Sequence, residues 1–316
     1  MVLRLRPATL EELIADRPLL DVHYASSLDA LERLPEAWAS MLAHPAVMLG
    51  VVEDMSDPRS PRVVAHAARA FIKPDFCHDL RTCLGPCVGG QIVEAMLRGE
   101  SPLPTPEEIH AAHHGEGICM AILHTAYHGT PVGEIGPHEI QEAMNASFYA
   151  GHRGYRFKEF LHQSLSADEV AWYDSAGGRL RRDYREVFKD EAESPRPNRP
   201  FLLGVTREEA LANRGARIAA LFIDYPVKLG LQLPHKELLM RALMGETDEE
   251  MATSLGVSMP TLKRRWRGVY EHLESHAPAF LELWGGANLS GTRGGERRRH
   301  LLNYLREHPE ELQPFI

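Results

Sequence analysis

Apolar residues recur at helical steps near the start of the chain and give way to short β-branched runs further on. Leu10, Leu13 and Ile14, then Leu28, Leu31, Leu34 and Trp38, fall three and four residues apart, so the first forty residues read as helices punctuated by Pro18 and Pro35. Val47–Val52 and Val63–Ile72 are strand-like runs on either side of the turn-rich stretch Asp54–Pro61, which predicts a β-hairpin. Gly89–Leu97 reads as a turn entering a helix, Glu107–His114 as a short helix, and Gly117–His124 as a buried strand. Helices are expected over Ile140–Tyr149 and Tyr155–Leu165, separated by Gly151–Gly154. Ser166 followed three residues later by Glu169 is a capping-box start, and Arg179–Phe188 reads as strand or helix. This mixture makes the front of the chain α/β or α+β.

The pattern changes after Ala192–Pro200, where closely spaced prolines signal a linker. Arg207–Asn213 and Pro234–Leu243 read as helices. The stretch Gly245–Leu273 then reads as two helices and a tight turn. Asp248 is placed to cap the first, which carries Met251, Ala252 and Leu255 on one side. Gly256 breaks the helix, and Ser258 with Pro260 starts the next. Leu262, Trp266, Val269, Tyr270 and Leu273 form its apolar face, with Lys263, Arg264 and Arg267 opposite. Beyond a Gly-rich loop at 285–295, Glu296–Glu307 is a basic amphipathic helix whose Leu301, Leu302 and Leu305 suit dimerisation or a cover for the helical core. The expected division is an α/β region over 1–192, a linker and bridging helix over 193–228, and an all-α helix-turn-helix domain over 229–316.

The residues Gly245, Thr247, Asp248, Glu250, Met251, Ala252, Leu255, Gly256, Val257, Ser258, Thr261, Leu262 and Lys263 follow an order that resembles the helix-turn-helix of LuxR-type (GerE-like) regulators. That resemblance implies a sequence-specific transcription regulator that binds double-stranded DNA. Thr261, Lys263, Arg264 and Arg267 would face the duplex, and Thr247 and Ser258 would meet phosphates. The front domain would then sense a small-molecule effector. Charge fits the division: from Arg196 onward 17 Lys and Arg stand against 15 Asp and Glu, so of the net −9 about −11 lies on the first 195 residues. Weak phosphate affinity per protomer favours a homodimer. The start Met1–Pro7 lacks a signal-peptide pattern and no long apolar run occurs, so no membrane association and a cytoplasmic location are expected.

The front domain also resembles GNAT-type N-acyltransferases, through the hairpin at 47–72 and the run Gly151-His-Arg-Gly-Tyr-Arg156 ahead of an expected helix. This implies acyl-CoA binding, with His152, Arg153 and Gly154 offering a phosphate cradle. Tyr155 and Arg156 stand where that family needs small residues. The resemblance supplies the alternative reading, an acyltransferase or acyl-CoA sensor joined to a DNA-binding tail. Cys77, His78, Cys83 and Cys87 lack the spacing of a zinc site. His110 and His114 can share a helix face, but no His-Glu-x-x-His arrangement accompanies them. His124, in an apolar run, reads as a core or pocket residue. Neither a nucleophile elbow nor a phosphate-binding P-loop occurs. The sequence therefore assigns neither a catalytic residue nor a metal ligand, and favours a regulator over an enzyme.

Overall fold

The computed structural model describes residues 2–131, 134, 136–184, 201–282 and 294–314. The Pro-rich linker at 192–200 and the Gly-rich loop at 285–295 lie outside or almost outside these residues. The chain divides into two compact units, Met1–Tyr149 with Arg156–Ile223, and Ala150–Tyr155 with Asp224–Ile316.

The first unit is a mixed α/β layer built on seven strands: β1 (Leu3–Pro7), β2 (Val47–Asp54), β3 (Arg62–Ile72), β4 (Ile118–Tyr127), β5 (Phe157–Ser164), β6 (Arg179–Asp183) and β7 (Phe201–Thr206). They lie in the order β1-β2-β3-β4-β5-β7-β6, and every pairing is antiparallel except β4 with β5. The expected hairpin is β2 and β3. The helix expected over Tyr155–Leu165 is instead β5. Phe157, Phe160 and Leu161 are buried there, and the backbone is paired to strands on both sides. Sheet pairing on two edges overrides a local spacing that suits either structure.

The first helices are α1 (Leu10–Ala15), α2 (Arg17–Tyr24), α3 (Leu28–Glu32) and α4 (Leu34–Leu42), followed by α5 (Pro74–Thr82), α6 (Val88–Leu97) and α7 (Pro106–His114). Thr9 and Thr105 start α1 and α7 with full capping boxes. Then come α8 (His138–His152), α9 (Ala167–Ser175) and α10 (Arg207–Ala212). On one face of the sheet Ile140 and Met144 of α8 pack on Val52 and Ala65. On the other, α2 and α6 lie against β4, and the Tyr24 hydroxyl meets His124 Nδ1 at 2.8 Å.

Helices α2 and α6 approach so closely that a Cβ on Gly89 would sit 2.7 Å from the Tyr24 ring, and one on Gly90 would collide with the Tyr24 carbonyl. Gly90→Ala should therefore lower stability by about 1–3 kcal/mol through overpacking. A shifted denaturant midpoint with an unchanged slope would register it.

The second unit contains α11 (Leu233–Leu243), α12 (Asp248–Ser254), α13 (Met259–His276), α14 (Pro278–Glu282) and α15 (Gly294–Glu307). Leu262, Trp266, Val269 and Leu273 of α13 are buried with Leu238, Leu239, Met251, Leu301 and Leu305. The α11–α13 elements form where the spacing places them, with one correction. Thr247, not Asp248, caps α12, and Asp248 Oδ1 accepts from Arg298 at 2.7 Å.

Candidate functional site

Strand β4 is paired to β3 from Cys119 to Tyr127, but its parallel pairing with β5 ends at Ile122 and His162. Beyond that point Leu123–Tyr127 keep a partner on one side only. The two parallel neighbours part, and a cleft of about 60 Å³ opens at their C-terminal ends. Thr125, Tyr127, His162 and Gln163 line it from the strands, His23 from α2, Gln141 from α8 and Glu169 from α9. Helices from both faces of the sheet thus reach one opening. The carboxyl ends of parallel strands are a favoured place for ligands in α/β sheets.

The chemistry concentrates on His162 and Glu169. Ser166 caps α9 by accepting the Glu169 N–H, but only half of the expected box forms. The Glu169 carboxylate turns away to accept from His162 Nε2 at 2.9 Å and from the Ser164 hydroxyl at 2.6 Å. Burial raises the Glu169 pKa, but attraction to His162 and the bonds from His162 and Ser164 outweigh it, and the net shift is downward. An ionised carboxylate that orients an imidazole is the arrangement of a general base with its positioning partner. Tyr173 stacks on His162 with ring centroids 5.9 Å apart. Its hydroxyl is buried without a hydrogen-bond partner among the described residues, and burial pushes its pKa well above the usual value. Burial thus keeps it a neutral phenol that holds its proton, packed behind His162.

His23 completes the group. Burial, opposed by Glu169 and reinforced by His162, lowers its pKa to about 4. His124, buried beside it with ring centroids 5.9 Å apart, is also pushed well below the usual histidine value by burial. Both imidazoles are neutral in the fold at pH 7. On acidification the unfolded chain takes up protons near pH 6.5 while the folded chain does not, so stability falls as pH drops. His23 alone accounts for roughly 3 kcal/mol between pH 6.5 and 4. Thermal midpoints across this range should fall towards pH 4 and recover part of the loss in His23→Gln. A flat profile would contradict the assignment.

The sequence-predicted residues lie elsewhere. His152, Arg153 and Gly154 belong to the second unit. Arg153 Nε stands 2.8 Å from the buried Glu310 carboxylate, and a Cβ on Gly154 would sit 2.7 Å from Glu310 Cα. The Arg153 guanidinium is thus engaged by a buried carboxylate, and Glu310 covers this backbone. The Thr247 hydroxyl accepts from Glu250 N–H and the Ser258 hydroxyl from Thr261 N–H, so both are engaged as caps. Lys263, Arg264 and Arg267 are exposed on α13, and Thr261 is half-buried beside Ser258. Cys77, Cys87 and Cys119 are buried and Cys83 is exposed. His110 and His114 sit on α7 with ring centroids 4.3 Å apart. The sequence reading passed over His23, His162, Gln163, Glu169 and Tyr173. The only signal it held was the Ser166–Glu169 pair, read as a cap alone.

No family model matches the chain, a LuxR-type module included, and no curated protein is similar in sequence. Solved structures do align with it. FeeM, an N-acyl amino acid synthase from uncultured soil microbes, is 10% identical over 71% of this chain and 98% of its own, with a TM-score of 0.35. The spermidine/spermine N-acetyltransferase SpeG from Vibrio cholerae is 13% identical over 67% and 98%, with a TM-score of 0.36. A mosquito arylalkylamine N-acetyltransferase-like protein is 14% identical over 65% and 100%, with a TM-score of 0.34. At this distance the case for any chemistry in this chain has to come from the cleft itself. The expectation of a DNA-binding transcription regulator is corrected: no LuxR-type family model matches the chain, and the imidazole–carboxylate pair with base chemistry lies in the cleft of the α/β unit. About forty residues of helix-turn-helix pattern describe a common helical corner, and its hydroxyls serve as caps. No helix among the described residues is long and apolar enough to cross a membrane.

Proposed function

We propose that this chain is an acyl-CoA-dependent N-acyltransferase of the GNAT type, working in the cleft between β4 and β5. The parting of two parallel strands beside a carboxylate-held imidazole carries this reading. The strand edge left open at Leu123–Tyr127 presents backbone N–H and C=O groups, which suit a thin, amide-bearing chain such as the pantetheine arm. In the GNAT family the pyrophosphate meets a Gly-containing loop and helix N-terminus that follow a strand. The matching strand is β4. Its following loop contains Gly129, Gly133 and Gly136 before α8, and Gly136 lies too close to the Tyr127 ring for any side chain. The cradle is therefore assigned to this loop rather than to Gly151–Gly154.

In this reading His162, held by Glu169, takes a proton from a primary amine as its nitrogen bonds to the acyl carbon. The carbon–sulfur bond breaks, and the proton that His162 has taken up is returned to the departing thiolate. Full-length protein, acetyl-CoA and a panel of primary amines in a chromogenic thiol-release assay test the proposal. Amine-dependent release is expected, with Glu169→Gln slower than the parent. No release with any amine, together with no heat on titrating acetyl-CoA, overturns it.

A further inference from the structure

Outside the cleft, three side chains from separate elements converge on one point. Asp16 lies at the junction of α1 and α2, His66 on β3, and His128 one residue past β4. The strand pairing sets the two histidines side by side, since His66 faces Ala126 and the His128 N–H bonds to the Val64 carbonyl at 3.0 Å. Asp16 Oδ2 is 2.7 Å from His66 Nε2 and 3.2 Å from His128 Nε2, and the three ligand atoms all lie within 4.8 Å of one another. Zinc bonds to nitrogen and oxygen of about 2.0–2.2 Å set neighbouring ligands of a tetrahedron about 3.3 Å apart. The donors are already near that spacing.

We propose that Asp16, His66 and His128 bind one divalent transition-metal ion, zinc by preference, through a carboxylate oxygen and two imidazole nitrogens. The donor set chooses the metal class: imidazole nitrogen suits zinc, nickel or cobalt, whereas magnesium and calcium prefer sites made wholly of oxygen. His66 is fully buried and His128 is 38% exposed, which leaves a fourth position open to water on the His128 side. His66 Nδ1 has no partner among the described residues. Ligating histidines normally use that nitrogen to hold the ring, and losing such a partner weakens binding about 10–100-fold, so micromolar rather than nanomolar affinity is expected. The bound ion would clamp the α1–α2 junction to the β3–β4 pair. This site is independent of the acyl-transfer reading and stands whether or not that reading holds.

The test uses the full chain, stripped with chelator and freed of any affinity tag, and titrates zinc by calorimetry and cobalt by visible absorption. Expected are one equivalent of zinc, tetrahedral-type cobalt bands, and a thermal midpoint that rises with zinc. His128→Ala, the least buried ligand, should weaken binding at least ~10-fold and abolish the thermal rise. Its circular dichroism without metal should match the parent, and Asp16→Asn should repeat the loss. His110→Ala with His114→Ala, which removes the exposed pair on α7, should leave affinity unchanged. Three results overturn the proposal: no stoichiometric binding, unaltered affinity in His128→Ala, or affinity lost in the α7 variant.

Discussion

His162→Ala should lower amine acylation by about 10²–10⁴-fold, the range expected when a positioned general base is removed. The loss should fall on kcat and kcat/KM together, because in the proposed reaction the imidazole acts on the amine proton in the transition state and not on the bound acyl donor. His162 is fixed from both sides, by the Glu169 carboxylate at 2.9 Å and by the Tyr173 ring. Glu169→Gln tests the orienting role. An amide retains a hydrogen bond to His162 but carries no charge, so the loss should be smaller than in His162→Ala. Thiol-release rates read both losses. Equal rates for His162→Ala and the parent would remove the base from the cleft.

Glu311→Ala should destabilise the second unit by about 2–4 kcal/mol, the usual consequence of leaving several hydrogen-bond donors without their acceptor. Glu311 is fully buried. Its carboxylate accepts from the Lys228 and Leu229 backbone N–H groups at 2.9–3.1 Å and from the Tyr304 hydroxyl at 3.1 Å. Removing it leaves two interior N–H groups and a phenol without an acceptor. It also unties the residues ahead of α11 from the end of the chain. Glu311→Gln keeps one oxygen to accept and should lose less. Chemical denaturation followed by circular dichroism measures the difference, and a change below about 0.5 kcal/mol would show that water replaces the lost partner.

The legible parts of the chain were those in which one local rule decides. The β2–β3 hairpin follows from two β-branched runs and a turn-rich loop. The three helices α11–α13 follow from apolar spacing, Gly256 and Pro260. The strand β1 was available in the alternation Leu3-Arg4-Leu5-Arg6, whose arginines bond to Glu53 on β2 at 2.6 and 2.7 Å. It was passed over because five residues make a weak signal beside the helices that follow. The strand β5 was misread because Phe157, Phe160 and Leu161 also fit a helix, and only its neighbours β4 and β7 decide the matter.

The site was less legible for a further physical reason. His23, His162, Glu169 and Tyr173 come from three elements, and their chemistry arises from a gap in strand pairing that no local pattern encodes. The metal cluster is similar: Asp16, His66 and His128 are separated by 50 and 62 residues and meet through the β3–β4 register. Gly151–Gly154 illustrates the converse: the sequence shows a glycine-containing turn, and only the structure shows Glu310 against Gly154.

The most direct test of the central claim is hydrogen exchange on the full chain with and without a non-reactive acyl-CoA analogue. Binding in the cleft predicts slower exchange at the amides of Leu123–Tyr127, with little change at Gly151–Gly154. No protection at Leu123–Tyr127 at saturating analogue, or protection confined to Gly151–Gly154, would contradict it.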